Sequence, residues 1–121
     1  MKLFSLLIVM SVLFSPLFAA TDRPIVVIGE ISDSQCVFNI HSRDGTHAAM
    51  IKTATLGDNA EQCARTCVRM GGQYVLADTV NEKVYRLVNP ALAIRFVGKR
   101  VRVRGIADDK GIFSIIDIEN R

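Results

Sequence analysis

With 121 residues, half of them apolar and 22% charged, the chain has the size and composition of one globular domain and not of a disordered tail. A net charge of +3 is too small to mark a polyanion binder by itself, and three cysteines cannot all pair among themselves.

The chain opens with Met1 and Lys2, continues through the apolar run LFSLLIVMSVLFSPLF, and reaches Ala19 and Ala20 before its first acidic residue, Asp22. This is the pattern of a secretory signal peptide over residues 1–20. The run is shorter than the roughly 20 residues of a membrane span, and Pro16 breaks it just before small residues suited to cleavage. No stable membrane span is expected after cleavage, a retained anchor being the alternative. No cysteine follows directly, so lipoprotein processing is not expected. Residues 21–121 then form a single secreted or periplasmic domain with a net charge of +2 once Lys2 is removed. Export places the three cysteines in an oxidising compartment.

Pro24 to Ser32, PIVVIGEIS, reads as a largely buried strand that bends at Gly29. Asp33 to Gly57 holds Cys36, a short extended piece VFNIH, an Asp44-Gly45 turn signal and THAAMIKTAT, suited to a helical turn or two. From Asn59 to Met70 the spacing predicts a helix, with Asp58 as its cap, Glu61 completing a capping box, and Gly71-Gly72 as its stop. Ala60, Cys63, Ala64, Cys67 and Met70 share one face, so both sulfurs point inward.

QYVLADT and KVYRLV, joined by Val80, Asn81 and Glu82, have the spacing of an antiparallel hairpin. Asn89-Pro90 ends the second of these strands, ALAIRF is long enough for one short helix, and Gly98 closes it. A second hairpin turns around Asp108 to Gly111, its first strand alternating Val101 and Val103 with Arg100, Arg102 and Arg104.

Five strands with a short helix between the third and fourth match a mainly β fold, a small five-stranded OB-like Greek-key barrel. Its first connection is unusually long, a helix-containing insertion over about 33–72 between strands 1 and 2. A split-sheet α+β domain or an SH3-like barrel is the runner-up. The run of motifs DSQC, FNIHS, THAAM, CARTCV, GGQYVL, KVYRLV and FVGKRVRVRG resembles small secreted bacterial proteins of unknown function with an OB-fold-like domain and a Cys/His-containing insertion. The resemblance covers nearly all of residues 21–121. It implies export and one barrel-like domain, and nothing about substrate.

Every thiol and imidazole of the chain lies in that insertion: Cys36, His41, His47, Cys63 and Cys67. The first reading of the cluster is a disulfide pinning the insertion. Cys63 and Cys67 are poor partners, because a helix holds their Cα atoms roughly 6 Å apart with nearly parallel Cβ vectors. Cys36 would therefore bond to Cys63 or Cys67, closing a loop of about thirty residues worth roughly 3 to 4 kcal/mol. The alternative is a zinc or copper site built from Cys36, His41 or His47, Cys63 and Cys67, with Met50 and Met70 as further soft donors. A third reading makes Cys63, near its helix start and close to Arg65, a redox thiol, although no C-x-x-C pair is present.

No nucleophile elbow, phosphate loop or H-E-x-x-H occurs, so no catalytic residue and no enzymatic activity are expected. Arg100, Arg102 and Arg104 form a candidate anion-facing stripe, and Tyr74 and Tyr85 could stack bases. An exported protein of mild charge is nonetheless not expected to take nucleic acid as its partner. The expectation is an exported binding or envelope-associated module for a small ligand or an envelope protein, with no cofactor or with a zinc or copper ion.

Overall fold

The structure, a computed structural model, describes residues 23–37 and 57–121; among these the five strands and the second helix follow from the alternation and caps read above, while a first short helix over Ser34–Val37 stands where no helix was expected. The signal-peptide residues, FNIH and THAAMIKTAT lie outside the described residues. The strands are β1 (Ile25–Asp33), β2 (Tyr74–Asp78), β3 (Lys83–Leu87), β4 (Arg100–Ala107) and β5 (Ile112–Asn120). The helices are α1 (Ser34–Val37) and α2 (Ala60–Arg69).

The sheet is mixed and its pairings run β1–β2–β3–β5–β4 and back to β1, a ring. All pairs are antiparallel except β3 with β5, joined in parallel through Arg86 to Ile112 and Leu87 to Phe113. β1 closes the ring because it serves two partners: residues 25–30 pair with β4 and residues 29–33 with β2. Gly29 lies in the overlap, where a Cβ would collide with the Ala77 carbonyl oxygen. The bend expected at this glycine is thus a close approach of two backbones.

Alternation sends Val27 and Ile31 of β1, Leu76, Tyr85, Val101, Val103, Phe113 and Ile115 into one core. Phe113, Ile31 and Leu76 are completely buried, each worth roughly 1.5–3 kcal/mol. Tyr85 packs at a tilt on Phe113, centroids 5.3 Å apart, which makes it a wall residue and not a stacking platform. The β2–β3 turn is held by Asp78, which accepts from Val80 N, Asn81 N and Asn81 Nδ2. Asn89 performs a similar task for β5: its side-chain amide accepts from Ile115 N and donates to Ile115 O, standing in for a neighbouring strand.

The segment expected to form one short helix between β3 and β4 is instead two 3-10 turns, Pro90–Leu92 and Ile94–Phe96. The tighter bonds Ala93 N to Pro90 O and Phe96 N to Ala93 O place Ala93 and Phe96 in the core three residues apart. The chain after them returns to β1 through Gly98 N to Ile31 O, and Gly98, at φ +75°, lies directly beneath the first turn of α2.

α2 starts one residue later than expected. Asn59, in extended conformation, is the cap and accepts from Gln62 N, while Gln62 Oε1 reaches back to Asp58 N. Glu61 is thereby released to pair with Arg65 one turn on, at 2.9 Å. The C-terminus follows expectation: Gly71 N bonds Val68 O and Gly72 N bonds Cys67 O, the paired bonds of a Schellman stop, with Gly71 at φ +106°.

Candidate metal centre

Two short pieces of chain deliver the three sulfurs. On the first, Asp33 ends β1 and caps α1, its Oδ1 accepting from Gln35 N and Cys36 N at 2.9 Å each. The cap turns the backbone so that Cys36 faces away from solvent. On the second, Cys63 and Cys67 lie one turn apart on the buried face of α2, with Ala64 between them packed into the main core. Met70 was expected on the same face, but it is 55% exposed because the helix ends there and the stop carries its side chain outward.

The sulfurs of Cys36, Cys63 and Cys67 all lie within 4.8 Å of one another, and the Cys36 to Cys63 separation is 3.8 Å. Relative exposures of 1%, 0% and 0% make them a small second core, separate from that of the sheet. No disulfide joins them. For sulfurs about 2.3 Å from a tetrahedral zinc, the sulfur–sulfur edge would be roughly 3.8 Å, so the Cys36–Cys63 pair already stands at the spacing an ion requires.

Burial, followed by the negative charge of Asp33, raises the Cys36 thiol far above its ordinary value. The same two causes, in the same order, push Cys67 up to about 12, and its thiol is within hydrogen-bonding reach of the Asp33 carboxylate. Burial also raises Cys63, partly offset by a hydrogen bond from Cys36. These are protonated thiols at neutral pH, the reverse of an activated nucleophile. Arg65, expected to assist Cys63, is directed to Glu61 and to the Ile94 carbonyl.

Compared with models of known families, with curated proteins and with solved structures, the chain matches none.

His41 and His47, the candidate imidazole ligands, and Met50 lie outside the described residues. The residue that sequence reasoning passed over is Asp33. An Asp followed by three residues ending in Cys36 carries the signal of a helix cap, obscured by reading the next residues as extended chain.

Arg100, Arg102 and Arg104 do share the outer face of β4. Arg102 meets Glu119 at 3.3 Å and Arg104 meets Asp117 at 2.7 Å, each its register partner on β5. Much of the stripe's charge is therefore met within the sheet. Among the described residues, no helix is long and apolar enough to cross a membrane.

Proposed function

We propose that the protein is an exported metal-binding module, an OB-like barrel whose helical insertion holds one thiophilic ion, zinc or copper(I), through Cys36, Cys63 and Cys67. The convergence of three fully buried sulfurs, one pair at 3.8 Å, is the observation that carries this reading. Each of these positions is supplied by a cap or helix face that packs for its own reasons, so the sulfurs are held in place before any ion arrives. His41 and His47, close to Cys36 in the chain, are the candidates for a fourth ligand. The ring order β1–β2–β3–β5–β4, with its one parallel pair, supports the OB-like assignment, and the leader-like residues 1–20 support export. The burial of all three sulfurs away from solvent favours holding an ion over catalysis. We read the protein as a non-enzyme of the small secreted group that its motifs resemble.

A second reading has its own observation. All three sulfurs lie within 4.8 Å of one another, Cys36 and Cys63 at 3.8 Å, so a disulfide that pinned the insertion would join Cys36 to Cys63 or Cys67 and leave the other as a buried thiol. One experiment separates the readings. Protein recovered from the exported fraction is analysed for metal content and, after unfolding, for free thiols. The metal reading expects one ion per chain and three thiols. One thiol and no ion supports the disulfide, and failure of the reduced protein to bind zinc or copper(I) tighter than micromolar would sink the metal reading.

A further inference from the structure

We infer that the ion and a disulfide are two states of one site, and that oxidation joining Cys36 to an α2 cysteine expels the ion. The inference rests on the metal-binding reading and adds the regulation of that same site. The sulfurs are divided between two elements: Cys36 stands on α1, while Cys63 and Cys67 stand one turn apart on α2, all three buried and within 4.8 Å of one another. A helix sets the Cβ vectors of Cys63 and Cys67 nearly parallel, which makes them poor partners for each other. Cys36 comes from the other element to 3.8 Å from the Cys63 sulfur, and an approach of about 2 Å closes that gap to a bond. Any bond within the cluster therefore takes Cys36 and one α2 sulfur together. Two of the three sulfur ligands are lost at once, and the single thiolate that remains, even with one imidazole, falls short of the four ligands of a structural zinc site.

The oxidant is a small-molecule disulfide, with oxidised glutathione as its representative. Exchange with it forms the Cys36 bond in two displacements, through a mixed disulfide. Two site sulfurs lose one electron each and bond to one another; the glutathione S–S bond breaks, takes both electrons and two protons, and leaves as two thiols. The third site sulfur takes a proton as Zn(II) departs. Each bond formed thus consumes three protons and one oxidised glutathione and releases one Zn(II). Burial of the sulfurs slows the exchange without altering its end point. Because the ion binds the three-thiol state and not the bonded one, free Zn(II) above its dissociation constant opposes oxidation by mass action. A tenfold rise in it must raise tenfold the quotient of oxidised glutathione over the square of reduced glutathione at half-oxidation, about 30 mV. In the oxidising compartment expected of an exported chain, the bound ion is what keeps Cys36 reduced.

The test equilibrates the full chain with glutathione buffers at fixed pH and at several free Zn(II) concentrations set by a chelator. The protein is then alkylated, its thiols read by intact mass and its zinc by elemental analysis. Half-oxidation should move tenfold in the glutathione quotient for each tenfold in zinc, and the oxidised chain should carry one thiol, no ion, and a cross-link that includes Cys36 in the peptide map. A midpoint indifferent to zinc, an oxidised chain that keeps its ion, or a chain that keeps three thiols at every quotient overturns the inference while ion binding itself stands. If the reduced parent binds no zinc, the metal reading and the inference fall together. Cys36→Ser must keep both remaining thiols in the same buffers, and their loss to a bond between Cys63 and Cys67 is equally fatal. Should that variant not fold, the cross-link mapped in the parent decides the same point.

Discussion

Substituting alanine at Gly98 and, separately, at Gly71 tests how the sulfur-bearing helix is held on the sheet. Both glycines have positive φ, +75° and +106°, so both substitutions carry a backbone penalty of roughly 1–2 kcal/mol. Their surroundings differ. A Cβ on Gly71 meets nothing within 4 Å, whereas one on Gly98 comes to 2.5 Å from Glu61 N and 2.8 Å from Ala60 C, backbone atoms that cannot rotate away. Moving the first turn of α2 aside adds an overpacking cost of roughly 1–3 kcal/mol. Gly98→Ala should therefore destabilise by about 2 kcal/mol more than Gly71→Ala, which in urea unfolding appears as a lower midpoint at unchanged slope. It should also weaken ion binding, because the displaced helix carries Cys63 and Cys67, while Gly71→Ala should leave affinity close to that of the parent. Equal losses of stability in the two variants would refute the claim that Gly98 is the seat of α2.

Asp78 is held below the ordinary carboxylate range: burial raises it, but the hydrogen bonds from Asn81 and Val80, with Lys83 nearby, outweigh that. Its stabilising contribution is then complete above the unfolded value of about 4 and is lost as pH falls through the lower folded value, so acid unfolding of Asp78→Asn should show a shallower pH dependence below pH ~4. An identical slope would contradict this. Asn89→Ala leaves both Ile115 backbone groups without their partner and should cost about 1–3 kcal/mol in denaturant unfolding. A loss under about 0.5 kcal/mol would mean that water replaces the amide at no cost. Arg104→Ala breaks an exposed ion pair and should change stability by less than about 1 kcal/mol, with no salt-dependent oligonucleotide binding lost because none is expected of the parent.

The strands were legible because their signal is local: alternation in PIVVIGEIS and KRVRVRG, and turn residues at Val80 to Glu82 and Asp108 to Gly111. The buried face of α2 was legible for the same reason, since Cys63, Ala64 and Cys67 follow the helical period. Features that depend on competition between neighbours were not. Asp58 and Asn59 both satisfy a cap pattern, and the choice fell to Asn59 with Gln62 as its partner. The 3-10 turns are set by which residues the ring must receive, Ala93 and Phe96, a demand that no window around ALAIRF contains. Asp33 was hidden most thoroughly, because its importance comes from a sulfur on another element, Cys67, far along the chain.

X-ray absorption of the reduced, zinc-loaded protein tests the central claim most directly. The account predicts one ion per chain with three sulfur scatterers at about 2.3 Å, reduced to two when any one of Cys36, Cys63 or Cys67 is changed to serine. A spectrum fitted by nitrogen and oxygen alone, or one indifferent to those substitutions, would contradict it.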